Sequence, residues 1–269
     1  MILIDMKEKI LSHLNAECPW RDTLHWYSDL DSTNTRAKLM ARDGAPHGTV
    51  LIAGSQSGGR GRMGRVFQSP AGAGVYLSVI LRPNCPPEQL MHLTCAAGVA
   101  MVKAVEKASG ICPRVKWIND LVVDGKKLGG ILTEMSVEKG IVEYAVVGIG
   151  INCLQSKENF HPEIADLATS LSLAAGRKIL PEILAAAMIE ELFFMYEQLF
   201  TAKSALMAEY KRNCITLGKD IQVLRADSIR PGKAIDLDED GGLIVEYSDG
   251  TKETVASGEV SVRGMYGYV

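Results

Sequence analysis

The sequence lacks several patterns that would assign it to a particular class of protein. Its six cysteines include no CxxC pair and its five histidines no HExxH pattern, so the common zinc sites are not predicted. No apolar run is long enough to span a membrane, and the amphipathic N-terminus lacks the apolar core of a signal peptide. A formal net charge of only -3 excludes a global basic field for nucleic acid or anionic lipid. We therefore expect neither DNA nor a membrane as a partner, and any anion site must be local.

The residues that are present indicate an ordinary folded chain. Its 269 residues are enough for one large domain or for a large and a small one. A content of 47% hydrophobic and 23% charged residues is typical of globular proteins, and only 6% aromatic residues predict a mainly aliphatic core. Cysteines scattered along a chain of this size are typical of reduced thiols, which predicts a cytoplasmic protein.

Hydrophobic periodicity divides the chain into two regions. Up to residue 213, apolar runs of strand length alternate with helical patterns. The predicted strands are 24–27, 48–55, 75–81, 114–117, 121–123, 129–135 and 143–152. The predicted helices are a short one within 1–20, then 36–41 behind a polar N-cap at 31–34, then 88–109 and 181–200. From residue 214 onward short strands alternate with turns, which predicts a small second domain over 214–269.

The most distinctive segment is the loop 58–65, which holds Arg60, Arg62 and Arg65 among four glycines. Arginine presents a planar fork of donors that fits carboxylates and phosphates, and glycine lets the backbone approach a ligand closely. Three interpretations are open from these residues alone: a small-molecule anion site, an RNA-binding segment, or a solvated surface loop. The short length of the loop disfavours RNA, because Gly/Arg segments that bind RNA are usually long and of low complexity.

Further polar clusters fall at or beside the ends of predicted strands. They are Ser32, Thr33 and Asn34; Gln56 beside the arginine loop; Lys116, Asn119 and Asp120; and Lys127 with Gly129 and Gly130. Each also has a simpler interpretation without a ligand. The first cluster could do no more than cap a helix, and the Asn119-Asp120 pair no more than form a turn. Lys127 could be a solvated lysine of a turn. The glycines of the run 148–152 could serve only close backbone packing.

Together these blocks resemble the biotin–protein ligases. The matching blocks, in order, are Asp-Ser-Thr-Asn at 31–34, Gly-Arg-Gly-Arg-Met-Gly-Arg at 59–65, Tyr-Leu-Ser at 76–78, Lys-Trp-Ile-Asn-Asp-Leu at 116–121, Lys-Leu-Gly-Gly-Ile-Leu at 127–132 and Gly-Ile-Asn at 150–152. Any one block is weak evidence, but six in order at plausible spacing are specific. The resemblance covers nearly the whole chain. It implies a short form, because the segment before the first block is too short for the helix-turn-helix domain that some members carry.

The resemblance implies a fold, a reaction and partners. The fold is of the α/β (α+β) class, with a mixed sheet flanked by helices over 1–213, similar to class II aminoacyl-tRNA synthetases, and a C-terminal SH3-like β-barrel over 214–269. The reaction joins biotin and MgATP into biotinyl-5'-adenylate, then transfers biotin to a lysine of a biotin carboxyl carrier protein of acetyl-CoA carboxylase. ATP and Mg²⁺ are the implied cofactors. The resemblance also suggests a homodimer through the edge of the main sheet near 148–152.

The same resemblance implies roles for individual residues. The expected biotin-binding residues are Ser32, Thr33, Asn34, Gln56, Arg60, Gly61, Arg62, Lys127 and Gly130. The expected ATP- and adenylate-binding residues are Arg62, Arg65, Phe67, Lys116, Asn119, Asp120 and Asn152. The expected catalytic residues are Arg60, Arg62, Lys127 and Asp120, with Asp120 also assisting Mg²⁺.

Two departures from the family pattern and two rival functions accompany this interpretation. Phe67 stands where members often have tryptophan, and Ile118 stands where they usually have proline, which would stiffen the turn.

A lipoate–protein ligase has a related fold and reaction, although the Gly-Arg-Gly-Arg loop favours biotin. The other alternative is a non-catalytic module that binds anions or RNA through the same arginines. Biotin-dependent isotope exchange between pyrophosphate and ATP separates all three functions.

Overall fold

The architecture is built on two β-sheets, of which the larger lies in the first part of the chain. The computed structural model describes residues 5–225, 228–256 and 261–264. The strands of the larger sheet are β1 (Leu24–Tyr27), β2 (Thr49–Ala53), β3 (Gly74–Leu81), β4 (Arg114–Lys116), β5 (Asp120–Val123), β6 (Lys126–Glu138) and β7 (Ile141–Asn152). Their spatial order is β1-β2-β3-β7-β6-β5-β4. Only the pair of β1 and β2 is parallel among these neighbours, so the sheet is mixed, as predicted.

The helices follow the capping and periodicity signals of the sequence. They are α1 (Met6–His13), α2 (Thr33–Arg42), α3 (Leu93–Ser109), α4 (Leu171–Ala175), α5 (Pro181–Gln198) and α6 (Lys203–Asn213). The Ser32 hydroxyl accepts a hydrogen bond from the Thr35 N–H at 3.4 Å, which confirms the predicted cap of α2. Pro181 lies in the first turn of α5, where its missing N–H costs no hydrogen bond. No helix in the described part of the chain is long and apolar enough to cross a membrane.

Helices cover the two faces of the large sheet unequally. On one face α1, α3 and α5 pack over the main core, which is mostly aliphatic. On the other face α2 covers a small core formed by Ala37, Ala41, Leu51, Ile80, Tyr144 and Val146. Because side chains alternate along a strand, Gly148 and Gly150 continue the face of Val146. The candidate site lies on this face, beside Gly148 and Gly150.

Strand β7 is a central strand of the large sheet. It pairs with β3 on one side and with β6 on the other, so that Gly148 lies between Ser78 and Leu132. The predicted dimer contact through a sheet edge near 148–152 is therefore wrong in its location, because this backbone already pairs with two neighbouring strands. The edge strands of this sheet are β1 and β4.

The second part of the chain forms the smaller sheet. Its strands are β8 (Asp220–Arg225), β9 (Ser228–Leu237), β10 (Leu243–Tyr247), β11 (Lys252–Val255) and β12 (Ser261–Gly264), in the order β11-β10-β9-β8-β12. All neighbouring pairs are antiparallel. The predicted turn between β10 and β11 contains Gly250 at φ +79°, a conformation that favours glycine. A small C-terminal β domain is thus present, as predicted.

Two helical features differ from the sequence pattern. The predicted helix 88–109 is divided, since a short 3-10 helix covers Pro87–Leu90 and α3 begins only at Leu93. Proline at the start of the 3-10 helix favours a tight turn there. The pattern also does not predict the short helix α4 or the helix α6. The residues of α6 are mostly polar, and it buries only Leu206, Met207 and Tyr210.

Candidate active site

A single cavity of about 560 Å³ gathers nearly all of the predicted site residues, and its size is typical of a small-molecule site. The predicted residues that line it are Ser32, Thr33, Asn34, Gln56, Arg60, Gly61, Arg62, Arg65, Phe67, Lys116, Asn119, Asp120, Lys127 and Gly130. Asn152 is the exception. Its Nδ2 donates to the Thr169 carbonyl at 3.0 Å and its Oδ1 accepts from Gln155 Nε2 at 3.1 Å, so its amide holds the segment that follows β7.

One side of the cavity is a neutral pocket, formed by Ser32, Thr33, Asn34, Gln56 and Ser78. The Thr33 N–H and hydroxyl both donate to Gln56 Oε1, at 2.8 and 3.1 Å. The Ser78 hydroxyl lies 2.8 Å from Thr33 Oγ1 and 2.6 Å from Asn34 Oδ1. These groups orient one another before any ligand arrives, because a connected network in a buried setting restricts each member.

A charged pair supports the neutral pocket from the α2 side. Asn34 Nδ2 donates to the Leu132 carbonyl at 3.2 Å and to Glu134 Oε2 at 2.9 Å. Lys38 Nζ lies 2.5 Å from the other carboxylate oxygen, Glu134 Oε1. Burial raises the pKa of Glu134, but the hydrogen bonds from Lys38 and Asn34 outweigh it and leave that pKa below its usual value. Gly148 is required here, because a Cβ at this position would overlap Asn34 Oδ1.

The arginine loop folds back on itself above β7. The Gly61 N–H donates to the Arg65 carbonyl at 2.7 Å, and the Phe67 N–H donates to the Gly59 carbonyl at 2.9 Å. The Phe67 ring lies edge-on to Tyr76 with centroids 6.4 Å apart. It also lies against Gly150, where any Cβ would overlap it. The glycines of the run 148–152 therefore give both Asn34 and Phe67 close access to the strand.

The other side of the cavity is a cationic cluster, formed by Arg60, Arg62, Arg65, Lys116 and Lys127. Among the described residues that line the cavity, Asp120 is the only carboxylate. Lys127 Nζ donates to Asp120 Oδ1 at 2.6 Å, and Gly130 leaves room for this pair, since its Cβ would lie 3.3 Å from that oxygen. Such an excess of positive charge favours polyanionic ligands.

Arg62 joins the loop to the turn between β4 and β5. Its Nη1 donates to Asn119 Oδ1 at 3.4 Å. Burial lowers the pKa of the Arg62 guanidinium, and the nearby Asp120 carboxylate opposes this shift. A partly desolvated guanidinium interacts with an incoming phosphate more strongly than a fully hydrated one, because water screens it less.

The turn 117–120 is held from behind by α6 and by the second part of the chain. Trp117 Nε1 donates to the Gly241 carbonyl at 2.9 Å, and the Trp117 N–H donates to Thr216 Oγ1 at 2.9 Å. The Tyr210 hydroxyl donates to the Ile118 carbonyl at 3.0 Å. The Trp117–Ile118 peptide bond is cis. Buried hydrogen bonds thus place the turn although Ile118 stands where the family usually has proline.

Sequence reasoning missed several polar or aromatic residues of this site, besides apolar and glycine residues that line the cavity. Ser78 and Trp117 lie inside matched blocks, and Glu134 follows the block at 127–132, so position was their only signal. Gln222 of β8 also lines the cavity, but nothing in the sequence shows that the small sheet reaches it. In the part of the chain that the structure describes, no group of three or more His, Cys, Asp or Glu residues could hold a metal ion.

Comparison with known proteins identifies the family. A family model described as the biotin/lipoate A/B protein ligase family matches residues 26–152, and one described as the biotin protein ligase C-terminal domain matches residues 216–263. The bifunctional ligase/repressor BirA of Bacillus subtilis is 38% identical over 86% of this chain and 71% of its own. The biotin–[acetyl-CoA-carboxylase] ligase of Mycobacterium tuberculosis is 32% identical over 92% of this chain and 91% of its own.

A solved structure agrees with these matches. The biotin protein ligase from Aquifex aeolicus, in complex with biotin and ATP, is similar with a TM-score of 0.76 and 28% identity. The match covers 90% of this chain and 98% of that one. The order of blocks in the sequence, the cavity and both family models agree: this chain belongs to the biotin protein ligases of the biotin/lipoate A/B protein ligase family.

Proposed function

We propose that this protein is a biotin–protein ligase that activates biotin with ATP and transfers it to a lysine of a biotin carboxyl carrier protein of acetyl-CoA carboxylase. The observation that carries the proposal is one cavity in which a neutral pocket of hydroxyls and amides adjoins a cluster of five cations. Biotin has a neutral ureido ring and a carboxylate, and ATP has a polyanionic chain. The names of the relatives support the same substrates.

The neutral pocket would bind the ureido ring. Ser32, Thr33, Asn34 and Gln56 supply the fixed pattern of donors and acceptors that the ring needs. Arg60, Gly61, Arg62, Lys127 and Gly130 would line the path of the valerate chain and its carboxylate. A buried pocket that pairs every polar atom of its ligand rejects analogues that lack those atoms.

The cationic cluster would serve the first chemical step. A carboxylate oxygen of biotin attacks the α-phosphorus of ATP, and the bond to pyrophosphate breaks. Because both reactants are anions, their repulsion must be offset, and Arg60, Arg62 and Lys127 are placed to do so. Arg65 and Lys116 would hold the remaining phosphates, and Phe67 would contact the adenine ring. Asn119 would keep Arg62 over the reacting groups through their hydrogen bond.

Magnesium would enter with ATP rather than be held by the protein alone. Asp120 is the one carboxylate that lines the described part of the cavity, and it already bonds to Lys127. One carboxylate is enough for a magnesium ion whose other ligands are phosphate oxygens and water. When bound, the ion would neutralise part of the phosphate charge. Asn152 would act on the adenylate only indirectly, through the segment after β7 that its amide holds.

Asp120 would act in the transfer step. The amine nitrogen of the carrier lysine attacks the acyl carbon of the adenylate, AMP leaves, and the amine gives up a proton. A lysine amine is mostly protonated at neutral pH, since its ordinary pKa is roughly 10.4. The Asp120 carboxylate can orient this amine and accept its proton transiently, while Lys127 keeps the carboxylate in place.

Other features of the family remain part of the proposal. We place the boundary between the catalytic and C-terminal domains at 213/214, with an SH3-like form for the second and a synthetase-like form for the first. A cytoplasmic location rests on the scattered cysteines. A homodimer is proposed without a location, because the predicted edge contact is not available.

Transfer of biotin to the carrier domain of acetyl-CoA carboxylase tests the function. With ATP and Mg²⁺, the wild-type protein should place biotin on the carrier lysine, and Arg62→Ala and Lys127→Ala should lose most of this activity. Lys126→Ala is a matched control, since this neighbouring lysine does not line the cavity. Transfer of lipoate in place of biotin would keep the fold and overturn the substrate. Transfer of neither acid would leave only a binding role for the cationic cluster.

A further inference from the structure

Asn34 has no donor left for a ligand. An asparagine amide carries two N–H hydrogens and an oxygen with two lone pairs. Both hydrogens of Asn34 are engaged, one with the Leu132 carbonyl at 3.2 Å and one with Glu134 Oε2 at 2.9 Å. Its Oδ1 accepts from the Ser78 hydroxyl at 2.6 Å, which leaves one lone pair. Asn34 can therefore accept one hydrogen bond from a ligand but cannot donate one.

Glu134 fixes this orientation of the amide. A carboxylate only accepts hydrogen bonds, so a rotated Asn34 amide would bring its oxygen against Glu134 Oε2 with no proton between them. Lys38 holds the carboxylate at 2.5 Å, and the pKa of Glu134 lies below its usual value, so the group is ionised at neutral pH. The rotated amide would also lose its bond to the Leu132 carbonyl.

We propose that Glu134, held by Lys38, is a positioning residue that fixes the Asn34 oxygen toward the ligand and thereby selects an acid whose ring carries an N–H donor. The inference rests on the proposed function, since the ureido ring of biotin has two such N–H groups. The dithiolane ring of lipoate has none and would leave the Asn34 lone pair without a partner.

The rest of the neutral pocket complements this acceptor. The Thr33 N–H donates to Gln56 Oε1 at 2.8 Å. Because the one proton of Ser78 goes to Asn34, the Thr33 hydroxyl shares its proton between Gln56 Oε1 at 3.1 Å and Ser78 Oγ at 2.8 Å. Gln56 Nε2 gives one hydrogen to Ser69 Oγ at 2.8 Å. Its second hydrogen can meet the ureido carbonyl. The pocket thus offers an acceptor at Asn34 and a donor at Gln56, which matches a cyclic urea and not a sulfur ring. A ligand that leaves these polar groups unpaired is rejected more strongly than a ligand that differs only by a small apolar group.

Binding of biotin by Glu134 variants tests the inference. In Glu134→Ala, the dissociation constant for biotin from calorimetry and the KM for biotin should both rise roughly tenfold, as for loss of a hydrogen bond to a charged group. The KM for ATP and the kcat at saturating biotin should stay at the wild-type level. Glu134→Gln keeps an acceptor oxygen and should restore part of the biotin affinity. Glu138→Ala is the matched control, since it removes an exposed carboxylate from the same strand.

A second variant acts on Asn34 from the opposite side. Ser78→Ala leaves the Lys38–Glu134 pair intact but removes the donor to Asn34 Oδ1, so it should weaken biotin binding in the same selective way. Folded Glu134→Ala and Ser78→Ala proteins with wild-type biotin affinity would overturn the inference, and so would an equal rise in the KM for ATP. A wild-type protein that binds lipoate rather than biotin would overturn the proposed function itself, which is a different and separately visible result.

Discussion

The neutral pocket and the cationic cluster lie in the same cavity but are built in opposite ways. Ser78 and Asn34 are 0% and 4% exposed, and their polar atoms are paired with other groups of the protein. The cationic cluster has five positive groups and one lining carboxylate, and Arg60 and Arg65 are exposed. The neutral pocket is mostly paired within the protein and leaves one acceptor at Asn34 and one donor at Gln56 for a ligand, whereas the cationic cluster carries more positive groups than lining carboxylates.

The supporting elements explain this difference. The neutral pocket stands on α2, β3 and β6, which are held by two cores, so its groups are preorganised. Three of the five cations stand on the arginine loop 58–65, whose order depends on a few backbone hydrogen bonds. Under the proposed function, the preorganised pocket would select the acid, and the loop, which has fewer supporting contacts, would close over the phosphates.

The largest effect is expected on the cationic side, from Lys127→Ala. Under the proposed function this variant removes a cation that would face the reacting carboxylate and phosphate, so adenylate formation should slow by a factor on the order of 10²–10³. Biotin-dependent exchange between pyrophosphate and ATP measures this step. Lys126→Ala should behave as wild type. Normal exchange in Lys127→Ala would mean that the charge of this lysine is not needed for the first step.

Asp120→Asn should act on the second step. The amide keeps the shape of the side chain but loses the charge that, under the proposed function, would orient and deprotonate the incoming amine, so transfer should slow by about 10²-fold. Single-turnover transfer from preformed biotinyl-adenylate isolates this step from activation. Transfer at the wild-type rate would remove Asp120 from it.

Two alanine substitutions on one strand should separate the two sides of the cavity. Gly148→Ala would push a Cβ into Asn34 Oδ1, and Gly150→Ala would push one into the Phe67 ring. The first should raise the KM for biotin and the second the KM for ATP, each roughly tenfold, because overpacking costs about 1–3 kcal/mol. If both variants raised the same KM, the two sides would not be independent and the comparison would fail.

The sequence predicts the frame of this site better than its internal contacts. The apolar runs of β3 and β7 and the cap of α2 follow from local patterns, and the polar blocks locate most lining residues. The bond between Asn34 and Glu134 joins residues 100 positions apart and depends on how α2 lies on β6, which no local pattern shows. The same holds for Gln222, which reaches the cavity only through the docking of the second sheet.

Arg62→Ala should weaken closure of the loop more than binding in the neutral pocket. Loss of the contact with Asn119 would let water reach the adenylate and let it escape, so preformed biotinyl-adenylate loaded onto the protein should leave several-fold faster. Chromatography of the product released without carrier measures it. Met63→Ala changes an exposed residue of the same loop and is the control. Unchanged retention in Arg62→Ala would exclude this role.

The smallest effect is expected from Trp117→Phe, behind the cationic side. The phenyl ring lacks the N–H that donates to the Gly241 carbonyl, which would be left buried without this partner at a cost of about 1–3 kcal/mol. The free energy of unfolding should fall by this amount, and the KM for ATP should rise a few-fold while the KM for biotin stays constant.

Tyr210→Phe removes the other side-chain donor to the same turn and should act in the same direction. If the Gly241 carbonyl of the second part of the chain and Tyr210 of α6 position the turn together, the double variant should lose more ATP affinity than the sum of the single losses, because coupled contacts are not additive. A strictly additive result would mean that the two bonds only stabilise the fold and that the placement of Lys116, Asn119 and Asp120 does not depend on them.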